Sequence, residues 1–161
     1  MKIIFLDIDG VLIPVSGTGN KGFSGRNIDN LNELVRKTGA KIVITSDWKR
    51  KQPFDFVKDV LYESGVQGEI IDMTPNLNIE NNNDIKVPRG TEIQTWINNY
   101  NSFDEETNNL KCVMNYVILD DHMDMLVEQL DHFIEIDQSK GFDGKALKQS
   151  IEILTKNNIV I

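Results

Sequence analysis

A single cysteine, Cys112, stands among 161 residues. One thiol closes no internal disulfide and supplies no multi-cysteine metal site. Basic residues are also scarce: 17 Lys and Arg stand against 25 Asp and Glu, a net charge of −8. General binding to nucleic acid rests on cationic contacts to phosphate. This balance therefore argues against a DNA or RNA coat protein, while leaving room for a local basic pocket. No apolar run approaches the ~18 residues of a membrane span. The apolar stretch in MKIIFLDIDG is too short for a secretory signal, and no small-residue cleavage site follows it. These absences describe a soluble, cytoplasmic chain with no membrane partner. The rest is ordinary globular composition, 40% hydrophobic and 26% charged. A chain of about this length buries roughly 68–70% of its unfolded surface in one core, so a single domain over residues 1–161 is expected.

Apolar runs and helical spacing alternate along the chain. Lys2–Ile8 and Lys41–Thr45 read as buried strands. Between them lies a glycine-rich loop or small flap over residues 14–26. A helix follows on Ile28, Leu31, Leu34 and Val35, stopped by Gly39. Phe54, Val57, Val60 and Leu61 mark a second helix, with Pro53 at its first turn. Gly68–Met73 suggests another strand, and Thr74–Pro88, with Asn81–Asn83, an exposed loop. Ile93, Trp96, Ile97 and Tyr100 give a third amphipathic helix. Beyond it come a polar insertion over Asn101–Lys111, a strand Tyr116–Leu119, a short helix Met123–Leu130, a strand His132–Ile136 and a closing helix Phe142–Leu154. This order predicts an α/β fold: a Rossmann-like three-layer sandwich with a mainly parallel central sheet.

Three of these strands end in chemistry-bearing residues: Asp7-Ile8-Asp9-Gly10, Thr45-Ser46-Asp47, and Asp120-Asp121 with Asp124 a turn further on. Ligands bind outside the carboxyl ends of strands in such sheets, and parallel strands bring these endings to one edge. Carboxylates gathered there repel one another unless a cation joins them, and an all-oxygen donor set favours Mg²⁺. Asp7 and Asp9, two apart on extended chain, can face the same side. Gly10 permits a sharp turn and a close backbone approach. The bland alternative is a solvated Asp-Gly turn. Thr45 and Ser46 can donate to a phosphate oxygen without adding charge, or can simply end a strand and cap a helix. Asp124 reads either as a group orienting metal ligands or as an acid at a helix N-terminus. Asp47 reads as a turn cap and Cys112 as structural. His122 is incidental or a phosphate donor. Trp48, Trp96 and His132 show no chemical pattern.

Taken together, DIDGVL, VITSDWK, PRGTEIQTWI, YVILDDHMDM and GFDGKALKQSIEIL resemble the haloacid dehalogenase-like (HAD) phosphohydrolase superfamily, and within it the small HAD domains of RNA-repair proteins. The acidic pair is similar to that of polynucleotide phosphatases. The resemblance implies a Mg²⁺-dependent phosphomonoester hydrolase working through an aspartyl-phosphate, with no large cap. Asp7 is then the nucleophile and Asp9 the acid and base. Thr45, Ser46 and Gly10 bind phosphate, helped by a cation, Arg89 in preference to Lys86. Mg²⁺ is held by Asp7, the Asp9 carbonyl, and Asp120 or Asp121, with Asp124 near by. The implied substrate is a phosphorylated small molecule or a nucleic-acid end. A catalytically silent phosphate- or partner-binding module is the alternative, and the presence of both Asp7 and Asp9 counts against it.

Overall fold

A computed structural model describes residues 1–16, 19–20, 22–78, 86–104 and 109–156. Five strands form one sheet: β1 (Lys2–Leu6), β4 (Lys41–Ile44), β5 (Ile70–Met73), β8 (Asn115–Asp120) and β9 (Phe133–Glu135). Their spatial order is β5-β4-β1-β8-β9, and every neighbouring pair is parallel. The chain winds outward from β1 on one side, then returns to its other side at β8. β1 is therefore the point where the strand order reverses, and that is where open α/β sheets make their ligand crevice.

Alternation along the strands builds two cores. Ile4, Leu6, Ile42, Ile44, Val117 and Leu119 face the helices α1 (Gly25–Thr38), α2 (Phe54–Glu63) and α4 (Gly144–Thr155). Ile3, Phe5, Val43 and Ile118 face Ile93, Trp96 and Ile97 of α3 (Arg89–Tyr100). Both faces of β1 are thus covered, which explains why its sequence is continuously apolar rather than alternating. Helix ends follow local signals. Ser24 accepts from Asn27 N at the start of α1, Gly39 adopts φ 67° at its end, and Asp143 caps α4 by accepting from Lys145 N and Ala146 N.

Two short hairpins decorate the sandwich. β2 (Val15–Ser16) pairs with β3 (Gly19–Asn20) within the 14–26 segment, and β6 (Ser102–Asp104) pairs with β7 (Asn109–Lys111). The second lies within the polar insertion over Asn101–Lys111, for which patterning suggested a loop: polar residues there do not prevent local strand pairing. Asn81–Asn83 lie outside the described residues. The part of the neighbouring loop that is described is not wholly exposed, because Thr74 is buried and residues 75–78 are tied inward.

The helix expected over Met123–Leu130 is absent. A 3-10 helix occupies Val127–His132 instead. The buried Gln129 amide accepts from Leu126 N and donates to Gly90 O, which draws residues 125–126 onto the start of α3. Gly90 makes this approach possible, since a Cβ there would fall 2.5 Å from Leu126 N. Asp124 therefore cannot be the N-terminal acid of a helix beginning at residue 123. It serves another helix: its Oδ2 accepts from Arg89 N at 3.2 Å, at the start of α3.

Candidate active site

Register places three functional side chains side by side. Leu6 pairs with Ile44 on one side and Leu119 on the other, so Asp7, Thr45 and Asp120 occupy the next rung. Asp7 N donates to Leu119 O at 3.0 Å and Thr45 N donates to Leu6 O at 2.9 Å, which continues the ladder past the strand ends. All three positions share the parity of Ile3, Phe5, Val43 and Ile118, the face covered by α3. The first residue of α3 is Arg89, and its guanidinium meets them. Arg89 Nη1 lies 3.0 Å from Asp7 Oδ2 and 2.5 Å from Asp120 Oδ2, and Nη2 lies 3.2 Å from Asp47 Oδ1.

Burial sets the electrostatics. It raises the pKa of Asp7, while Arg89, the Ile8 N–H and the Ser46 hydroxyl oppose the shift. Asp120 is fully buried. Burial first, and then the neighbouring Asp7 charge, push its carboxyl up to about 7, against Arg89 and the N–H of His122. Burial also works against the Arg89 charge, but Asp7, Asp120 and Asp47 outweigh it and hold the guanidinium above its ordinary pKa. Two buried carboxylates this close cannot both stay charged without a cation between them.

The other residues close round a cavity of about 260 Å³. Asp9 lines it, and its Oδ2 accepts from Trp48 Nε1 at 2.8 Å. Gly10 holds φ +75°, and a Cβ there would fall 2.4 Å from Asp121 Oδ2, so only glycine lets that carboxylate sit over the turn. Asp121 also contacts His122 Nδ1 at 2.7 Å, and this raises the pKa of that exposed imidazole. Lys86 sits at the rim, 68% exposed, 3.5 Å from Asp124 Oδ2. Arg89, at 14%, is the cation that reaches the carboxylates of the central rung. Ser46 accepts from Trp48 N and caps the 3-10 turn Asp47–Arg50. Thr45, on the rung beside Asp7, is fully buried. Among the described residues its Oγ1 is the one buried side-chain polar atom without a hydrogen-bond partner.

Three contributors were given no site role by sequence patterning. Trp48 reaches Asp9 because the 3-10 turn, which has no apolar periodicity, swings its indole back over the strand end. Asp47 holds Arg89 and Arg50; it begins the turn rather than capping it, because Ser46 takes the cap position. Lys49, buried, pairs with Glu92 and donates to Thr74 Oγ1 at 2.9 Å and to Thr45 O at 3.4 Å. Burial lowers its pKa, and Glu92 opposes that shift. The partners lie 43 residues apart, so spacing could not have joined them. A basic residue in the turn that follows β4, and an acid in the first turn of α3, were the available hints.

The family described as the HAD domain in Swiss Army Knife RNA repair proteins matches residues 3–147. The chain belongs to this family. No curated protein and no solved structure matches it. The five-stranded all-parallel sheet flanked by helices is a HAD-like Rossmannoid fold. Membership of the family suggests phosphohydrolase activity in an RNA-repair context, and HAD domains typically use Mg²⁺. The donors of this HAD domain fit such an ion. Asp7 and Asp120 direct one oxygen each at a single cationic nitrogen, and Asp120, Asp121 and His122 offer ligand atoms within 4.8 Å of one another. No helix among the described residues is long and apolar enough to cross a membrane.

Proposed function

We propose that this HAD domain is a Mg²⁺-dependent phosphomonoester hydrolase that works through an aspartyl-phosphate on Asp7. The observation that carries the reading is the shared rung of Asp7, Thr45 and Asp120 with the Arg89 guanidinium on two of them. A carboxylate oxygen of Asp7 attacks phosphorus as the bond from phosphorus to the leaving oxygen breaks. Asp9, in its acid form, gives that oxygen its proton. It then takes a proton from the water that attacks the phosphorus of the aspartyl-phosphate, which frees Asp7 and inorganic phosphate. The Trp48 indole N–H aims the Asp9 carboxylate. Arg89 binds the phosphoryl oxygens. The Thr45 hydroxyl, which has no protein partner, donates to one of them, joined by Ser46 and by the backbone at Gly10.

Six carboxylates line the cavity against two cationic side chains, Lys86 and Arg89. A phosphate dianion is repelled by that excess. Asp7, the Asp9 carbonyl, Asp120 and Asp121 are the groups to hold Mg²⁺, with Asp124 orienting the rim through Lys86 and Arg89 N. The ion, when bound, offsets the repulsion and stabilises charge on the transferring group. Residues 1–161 act as one catalytic domain, with the flap near 14–26 and no large cap. An open site of this kind admits a phosphorylated small molecule, and the family description favours a nucleic-acid end. Purified protein is expected to hydrolyse an aryl phosphate only with Mg²⁺, and Asp7→Asn to abolish turnover while retaining the fold. A clean preparation inert towards a broad phosphomonoester panel with Mg²⁺ refutes the reading.

A further inference from the structure

A second cavity, of about 680 Å³, adjoins the first and shares Asp9 and Asp47 with it. We propose that it is the leaving-group subsite, and that it takes the nucleoside next to the scissile phosphate at a single-stranded polynucleotide end. The inference rests on the hydrolytic reading above. In that reading Asp9 protonates the leaving oxygen, so whatever hangs on that oxygen extends past Asp9. The larger cavity begins there.

Its size lies within the range of ligand pockets, roughly 300–1,000 Å³. Its walls suit a flat ring. The Trp48 indole is pinned by Asp9 on one edge and meets the Phe23 ring edge-on at 6.3 Å. α2 also lines the cavity: Val57 and Leu61 enter the core, while Phe56 turns outward, 47% exposed, and lines the cavity together with Val60. A half-bare phenylalanine ring in the same cavity as Asp9 is an apolar face held ready for something to cover it. Arg50 and Lys51 line the same cavity. Arg50 shares Asp47 with Arg89, at 3.4 Å, and Lys51 is exposed. Aromatic faces bordered by cations are the apparatus by which proteins hold single-stranded nucleic acid, with bases stacked and the backbone tracked by charge. Here that apparatus lines a cavity in a chain whose net charge is −8. Affinity for the end nucleotide is thereby separated from affinity for nucleic acid at large.

Two measurements test this. The first compares kcat/KM for an end-phosphorylated trinucleotide, a phosphopeptide and glycerol phosphate, in the wild type, Phe56→Ala and Phe56→Tyr. The wild type is expected to prefer the trinucleotide to glycerol phosphate by about tenfold or more, the size of one stacking contact. Phe56→Ala is expected to erase most of that preference, and Phe56→Tyr to keep it. A preference that survives Phe56→Ala, no preference for the trinucleotide, or a better phosphopeptide substrate overturns the proposal.

The second titrates intrinsic tryptophan fluorescence with the dephosphorylated trinucleotide, which needs no turnover. Trp48 lines the cavity, whereas Trp96 is buried against the α3 face of the sheet. Quenching that weakens about tenfold in Phe56→Ala and disappears in Trp48→Phe supports the subsite. Absence of quenching in the wild type refutes it. If no phosphomonoester is hydrolysed but the quenching follows this pattern, the hydrolytic reading fails and the binding site stands. If all three substrates are hydrolysed equally, the subsite alone fails.

Discussion

Lys49→Met probes the scaffold beneath the site. The Lys49 ammonium is enclosed by Glu92, Thr74 Oγ1 and the Thr45 carbonyl. It ties the strand end that carries Thr45 to the first turn of α3, three residues beyond Arg89. Removing one member of a buried ion pair leaves the other charge stranded, at a cost of about 3–5 kcal/mol. Glu92 keeps two other donors, Leu77 N at 3.0 Å and Asn78 Nδ2 at 3.5 Å. These offset part of the loss, so the expected cost sits near the lower bound, about 3 kcal/mol. For a chain of this length each kcal/mol moves Tm by roughly 2–4 °C, so Tm falls by about 6–12 °C. The double variant Lys49→Met, Glu92→Leu removes both charges, and its cost should fall short of the summed single costs by about 1 kcal/mol or more. Urea unfolding with parallel thermal scans gives all four stabilities. A Lys49→Met protein within about 1 kcal/mol of wild type, or a double variant as costly as the sum, contradicts the reasoning.

Thr45→Val removes a hydroxyl that has no protein partner. Stability should stay within about 1 kcal/mol while affinity for phosphate or vanadate falls roughly tenfold, as isothermal titration with Mg²⁺ can establish. Gly10→Ala sets a Cβ into the Asp121 carboxylate at a backbone φ of +75°. It should cost at least about 1–2 kcal/mol in thermal unfolding and weaken Mg²⁺ binding by displacing Asp121. Asp137, at an exposed turn after β9, is held down to about 2 by the Ser139 hydroxyl first and by Lys140 second. Its depressed folded pKa adds stability that is present above the ordinary value of 3.8 and lost as pH falls through about 2. A carboxyl titration by NMR should find that midpoint, and Ser139→Ala should raise it.

The parts of the site legible in the sequence are those written by local chemistry. An apolar strand that stops abruptly at Asp7, Thr45 or Asp120 announces both its burial and the edge where ligands bind. The family resemblance carried by those endings agrees with the match over residues 3–147. Less legible is whatever depends on contacts across the fold. The placement of Arg89 against Asp7 and Asp120 follows from which face of the sheet α3 covers, a fact no window of residues contains. The Met123–Leu130 helix gives way to a later 3-10 turn in which one buried amide, Gln129, accepts from Leu126 N and donates to Gly90 O at the start of α3. The same rearrangement gave Asp124 a helix to cap, but not the one its own sequence suggested. Trp48 carried no periodic signal because its role arises from a single turn of 3-10 helix.

The central claim is that Asp7 becomes phosphorylated during turnover. Borohydride quenching of the working protein, followed by peptide mass spectrometry, tests it directly. Phosphomonoester with Mg²⁺ should yield homoserine at position 7, and neither omission of Mg²⁺ nor Asp7→Asn should yield any. Sustained hydrolysis with position 7 unmodified, or hydrolysis that persists in Asp7→Asn, contradicts the account.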